Sequence, residues 1–340
     1  MIDAEASAAL RSDACDRAAE RVSGTHFRRL DGAWLSSIGL DASVFADDEV
    51  ALDRVLALGF NVIDLGVQAL RGAGTLGARL AAAGDARRAM FVLARGGSLA
   101  RYGTSMGPFM HRVGTELVEP GVIAWDDIAD YACIAAPWLA RDIALVREAL
   151  GAPVDAYLLD RPDRLLRNRP PSEHATRITG AFEALERAVA EGAIGCYGIV
   201  FDLAAPELTL ERAFAVARDV AGTRHHLRIA WLPASFGALD PRDEQGSAAA
   251  YEAGKRAADL GAYVVTASSE LRGIGDLPAH LRNELPACES AEDRIVQLCR
   301  SAAGVGTTFA TVGDALGLEE LGRIARLPTT TDAARYLLEV

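Results

Sequence analysis

The chain has 340 residues, 50% of them hydrophobic and 24% charged, the balance of a globular protein with a large buried core. No apolar run approaches the ~18 residues that a membrane helix needs. A net charge of −12 without any Lys/Arg-rich block lacks the positive footprint that nucleic acid or an anionic membrane requires. The opening MIDAEASAALRSDACDRAAERVSG has no basic stretch followed by an apolar one, so no export signal is expected and the cytoplasm is the expected location. The five cysteines (Cys15, Cys133, Cys196, Cys288, Cys299) are odd in number and show no CxxC or metal-ligand spacing, which reads as reduced thiols.

In chain order, residues 4–21 have a helical pattern and 27–31 a short β-ribbon, an extension expected to plug the floor of the main domain. Short apolar runs at 34–40, 61–65, 90–95, 154–160, 194–201, 227–233, 262–267 and 307–312 predict strands. Amphipathic stretches at 47–58, 74–83, 135–150, 175–191, 207–220, 248–260, 291–303 and 318–326 predict the intervening helices. In 175–191, Ile178, Phe182, Leu185 and Val189 share one face, Glu183, Glu186 and Arg187 point outward, and Gly192 is the stop. Strict alternation of strand and helix predicts an α/β protein, a (β/α)8 TIM barrel filling one domain over 1–340, with 1–26 as the N-terminal helical extension. Residues 96–134, after the third strand, are far longer than an ordinary βα loop. They carry Tyr102, Met106, Phe109, Met110, His111 and Trp125, and so apolar a loop is expected to pack as a lid over the barrel mouth.

The strand ends carry a resemblance. LSSIGLDASVF (35–45), EVALDRVLALGFNVIDLGVQAL (49–70), VDAYLLDRPD (154–163), AFEALERAVAEGAIGCYGIVF (181–201) and GVGTTFATVGDALGLEELGRI (304–324) resemble, in order, segments of the aldo-keto reductases. The resemblance runs from about residue 27 to 326. It implies a barrel that reduces carbonyls with a nicotinamide hydride and a Tyr proton donor, tuned by a Lys and an Asp, with a His orienting the substrate.

Carried over residue by residue, the pattern departs from the family. The Asp is present as Asp64. The Tyr position holds Ala69, with Leu70 beside it; the Lys position holds Arg95, and the His position holds Asp160. Lys255, the single lysine of the chain, lies in a surface-type helix. Where the family holds the nicotinamide amide stand Val200 and Phe201, and its sixth-strand Gln is Trp231. Glu270, Asp314, Ala315 and Leu316 stand near the expected phosphate contacts, where a carboxylate is repelled.

The residues at the strand ends therefore predict an acidic mouth with one guanidinium: Asp41, Asp64, Arg95, Asp160, Trp231, Glu270 and Asp314, with Asp202 nearby. The expectation is cofactor-independent acid–base chemistry (dehydration, isomerisation, cyclisation or hydrolysis) on a small molecule of specialised metabolism, a cationic one being suited to the acids. Asp64, Arg95 and Asp160 form its catalytic centre. Asp41, Tyr102, Phe109, Met110, His111, Phe201 and Trp231 line the substrate site, with neither cofactor nor metal bound. Two alternatives stay open, an NAD(P)H-dependent reductase with a rebuilt site and a non-catalytic binding protein. His225 and His226 are expected at the surface of the barrel floor.

Overall fold

The computed structural model describes residues 12, 15–45, 52–66, 69–82, 85–103, 105–202, 207–233, 254–268, 285, 287–302, 304–312 and 317–329. An antiparallel hairpin comes first, β1 (Phe27–Leu30) and β2 (Ala33–Ser36). Eight further strands close a barrel: β3 (Ile38–Asp41), β4 (Val62–Asp64), β5 (Phe91–Gly96), β6 (Val154–Asp160), β7 (Ile194–Val200), β8 (Leu227–Trp231), β9 (Tyr263–Ala267) and β10 (Val305–Ala310). Neighbours follow chain order, and β10 pairs in parallel with β3, Thr308 opposite Ile38. Barrel strands are covered on both faces, which is why they read as nearly continuous apolar runs rather than alternating ones. β9 (YVVTA), for example, is buried at every position.

One expected strand is split. The run 34–40 divides at Ser37 into β2, which belongs to the hairpin, and β3, which belongs to the barrel. The cause is the tight turn at Asp31 (φ 45°) and Gly32 (φ 89°), two successive left-handed residues that fold β2 back on β1.

Around the strands lie α1 (Leu52–Ala57), α2 (Ala69–Ala82), α3 (Asp85–Ala89), α4 (Met106–Val113), α5 (Ala136–Leu150), α6 (Asp163–Leu166), α7 (Pro171–Ala190), α8 (Leu210–Ala221), α9 (Ala291–Ser301) and α10 (Leu318–Ala325). Helix α7 starts four residues before the sequence expectation, because Pro171 is suited to a helix's first turn. Its apolar face is as expected, with Ile178, Phe182 and Leu185 buried. Glu186 is not turned outward. It accepts the backbone N–H of His226 at 2.7 Å, and His226 Nδ1 lies 2.7 Å from its other oxygen.

Contacts group the chain into two compact units, one of residues 1–64, 78–91 and 231–340 and one of residues 65–77 and 92–230. In the first, the hairpin is fastened below the strands by buried polar groups. Asn61 donates to Trp34 O and accepts from Ser36 N, both at 2.8 Å. Thr307 donates its hydroxyl to Ser36 O at 2.7 Å. Arg300, almost fully buried, donates to the carbonyls of Ile324 in the last turn of α10 and of Leu327 just past it, where a cation meets the negative end of the helix dipole. Burial and then the charge of Arg28 push its pKa down to about 10.

His26 is wholly buried between Gly59 O (3.0 Å from Nε2) and Ser37 Oγ (3.1 Å from Nδ1). A carbonyl only accepts, so Nε2 carries the proton and Nδ1 accepts from the serine. Burial, followed by the Arg300 charge, pushes the imidazole down to about 3. An unfolded chain takes up this proton near pH 6.5 and the folded one does not. Stability is therefore fully present above pH 6.5 and falls by about 1.4 kcal/mol per unit as pH drops towards 3. Urea midpoints measured from pH 7.5 to 5 should fall with acid and fall less steeply in His26→Gln. An unchanged slope in that variant would place the acid lability elsewhere.

In the second unit, His225 is buried against Phe214, ring centroids 5.8 Å apart. The surface position expected for it is thereby corrected: the start of β8 lies under the apolar face of α8. The five cysteines are all buried and form no disulfide, and no described helix is long and apolar enough to cross a membrane.

Candidate functional site

In a parallel barrel, the last residues of the strands form one end of the molecule. In the first unit, β3 and β4 end in register on Asp41 and Asp64. Asp41 is half-buried, and its Oδ1 accepts from Ser43 N at 2.8 Å, closing the turn after β3. Asp64 is buried. Trp231, the last residue of β8, stacks on Phe309 of β10, centroids 4.9 Å apart and planes 5° from parallel. Alternate strands contribute to one layer of a barrel interior, and these two rings fill such a layer. Room for them comes from Gly39, where a Cβ would stand 2.5 Å from Phe309 Cε1.

In the second unit, Arg95 of β5 is half-buried, and its Nη2 lies 3.8 Å from where a Cβ on Gly66 would be. Asp160 ends β6 opposite Val200 of β7 and is buried, and its Oδ1 has no hydrogen-bond partner. Phe201, just past β7, is buried, and Asp202 pairs with Arg167 at 3.1 Å. Ala69, in the place of the tyrosine, opens α2. Lys255 is exposed in a helical stretch over 254–259. Glu270, Asp314, Ala315 and Leu316 lie outside the described residues.

The segment 96–134 contains α4 and a small core of its own, while Met106, Met110 and Trp125 stay exposed. Phe109 meets Tyr131 edge-on at 4.6 Å. The Tyr102 ring lies 6.0 Å from that of Trp138 in α5, with the Arg112 guanidinium 5.3 Å from its centroid. Met110 is 41% exposed and His111 is exposed too, because Phe109 and Val113, four residues apart, define the inner face of α4. Phe109 is used in the segment's own core, and Met110 and His111 are exposed.

Guanidinium groups tie this segment to the outer helices. Arg101 pairs with Asp142 of α5, which also accepts from the Tyr157 hydroxyl. Arg169 donates to the carbonyls of Asp126 (2.6 Å) and Ile128 (2.9 Å). Arg177 of α7 reaches Asp126 at 2.8 Å and Asp127 at 3.3 Å. The pattern reading missed Asp142. Its one signal is an acid placed between Trp138, Leu139 and Ile143 on the buried face of α5.

Burial raises the Asp142 carboxyl above its usual range, and Arg101 and Tyr157 oppose the rise. Removing Arg101 strands a buried charge. Arg101→Met should lower stability by about 3–5 kcal/mol in urea unfolding, and adding Asp142→Leu should recover most of it. A double variant no more stable than the single one would show that this pair does not hold the segment.

No family model and no curated protein sequence matches the chain. Solved structures do. An aldo-keto reductase of Bacillus halodurans, described as a holo form, is 17% identical, with 92% of this chain and 95% of that one covered at a TM-score of 0.59. The glycerol dehydrogenase of Gluconobacter oxydans is 13% identical over 93% of this chain and 94% of its own, TM-score 0.58. An aldo/keto reductase of Klebsiella pneumoniae in complex with NADP and acetate is 14% identical, at 93% and 94% coverage and a TM-score of 0.52. The chain has the aldo-keto reductase fold.

These likenesses correct the expectation of cofactor-independent chemistry and of a site that binds no cofactor. The proteins that lie along this chain from end to end are reductases and a dehydrogenase, one a holo form and one an NADP complex. The expectation failed because it judged a dinucleotide site by side chains. Phosphates are held in large part by backbone N–H groups at helix starts, which any sequence supplies. The described residues offer a ligand one unmet polar group. The unmatched Oδ1 of buried Asp160 costs about 1–3 kcal/mol unless a ligand or water meets it.

Proposed function

We propose that the chain is an NAD(P)H-dependent oxidoreductase that reduces the carbonyl group of a small molecule, with Asp160 as proton donor. The whole-length likeness to aldo-keto reductases carries this reading. Asp160 adds to it, as a buried carboxyl with an unmatched oxygen at the end of β6.

A nicotinamide, when bound, supplies the hydride for the carbonyl carbon. Phe201, the residue after β7, would stand beside the proton donor's strand and keep water from it. Asp160 in its acid form donates a proton to the carbonyl oxygen as that oxygen gains charge, and is left as a carboxylate that solvent reprotonates. Arg95 stands on the neighbouring strand β5. A carboxylic acid thus takes the part that a tyrosine plays in the family that the sequence resembles.

NADPH fluorescence titration should give a dissociation constant of about 1–100 μM, roughly −8 to −5 kcal/mol. Asp160→Asn should leave that constant within about threefold and lower kcat by ~10²–10⁴, the ordinary worth of a general acid. Protein that binds no NADPH at 1 mM would overturn the reading. Full activity in Asp160→Asn would move the proton donor elsewhere.

A further inference from the structure

DRPD closes β6 with two acids, Asp160 and Asp163, and the reductase reading uses only the first. Asp163, the first residue of α6, is completely buried. Its Oδ1 accepts the backbone N–H of Glu207 at 2.7 Å and of Leu208 at 2.8 Å. Burial raises the Asp163 carboxyl above its usual range, and the backbone N–H groups of Leu208, Glu207 and Asp202 oppose the rise. These amides belong to the connection between β7 and α8, 39 to 45 residues further along the chain. One buried carboxylate therefore holds both ends of that connection.

Other contacts act in the same sense. Arg167 pairs with Asp202 at 3.1 Å, and His174 Nδ1 lies 3.9 Å from Glu207. Arg161 donates its N–H to Val200 O at 3.2 Å while standing at φ 46°, a left-handed backbone that a side-chain-bearing residue adopts at a cost of about 1 kcal/mol. That strain persists only where the surroundings fix it. The exit of β6, which carries Asp160, and the exit of β7, which carries Phe201, are thus tied together below a single acid.

We infer that Asp163 is a positioning residue. It clamps Asp202, Glu207 and Leu208 onto the exit of β6 and so fixes Phe201 relative to Asp160. Its effect on turnover rests on the reductase reading. Removing the clamp leaves the proton donor chemically intact and lets the ligand wall beside it wander. Misplacement of that kind lowers kcat more than it lowers cofactor affinity.

The test uses the full-length protein as wild type, Asp163→Ala and Asp163→Asn. The readouts are amide hydrogen exchange, NADPH titration and steady-state reduction of a carbonyl. In Asp163→Ala, exchange at Glu207 and Leu208 should speed up by ~100-fold or more. Its kcat should fall ~10–100-fold with the NADPH constant within about threefold. Asparagine keeps an acceptor for both amides, so Asp163→Asn should stay within about threefold of wild type on every readout. Unchanged exchange at Glu207 and Leu208, or faster exchange with unchanged kcat, overturns the proposal. If the alanine variant does not fold, Glu207→Pro removes one donor without touching the carboxylate. It should lower kcat by about 3–10-fold, and an unchanged kcat there overturns the proposal as well. Wild-type protein that reduces no carbonyl overturns the reductase reading instead, and the clamp is then decided by the exchange of Glu207 and Leu208 alone.

Discussion

A closed parallel barrel has no face for water. Helices cover the outside, side chains from alternate strands fill the inside, and only the two ends meet solvent. A charged side chain on a barrel strand must therefore stand at an end or be matched. In this chain Asp41, Asp64 and Asp160 obey that constraint, since each closes its strand. The middle of the barrel is left to groups such as Ile63, Leu158, Ile199 and Ile229, all of them buried. The acids of the candidate site stand at strand ends for the same reason that the strand middles are apolar.

The packing above the middle layer is equally constrained. Trp231 and Phe309 fit parallel to each other only because Gly39 offers no Cβ. Gly198 yields in the same way to the backbone of the next strand, where a Cβ would stand 2.5 Å from Ile229 O. Bulk on one strand is matched by its absence on the neighbour, which keeps density near that of a molecular crystal. An indole at the end of β8 is thus part of the barrel filling as much as part of any ligand wall.

The barrel was legible in the sequence because its signal is local. Residues 154–160 form a strand by their own apolar run, and the observed β6 has those bounds. The split at Ser37 was not legible in the hydrophobic pattern, since Trp34 and Leu40 look alike until the turn at Asp31 and Gly32 is seen to direct them to different sheets. At the site, strand-end positions were legible and roles were not. Asp142 and Asp163 are acids like any other in the sequence. What distinguishes them is burial against partners far along the chain, Arg101 in one case and the amides of Glu207 and Leu208 in the other. The aromatic content of 96–134 reads as cover for the mouth, because composition does not say which apolar groups will satisfy one another first. The cofactor was misjudged for a related reason: backbone donors are silent in a sequence.

Among the described residues, the charged ties from segment 96–134 to α5, to α7 and to the turn before α7 are made by arginine: Arg101, Arg177 and Arg169. A lysine in those places offers one compact charge on a flexible stem, whereas a guanidinium spreads its charge over five N–H donors. Its planar fork also reaches two acceptors at once, as Arg169 does with Asp126 O and Ile128 O. The longest connection in the described chain is therefore fastened by planar, two-pronged donors, and a lysine in place of Arg169 would leave one of those carbonyls unmet.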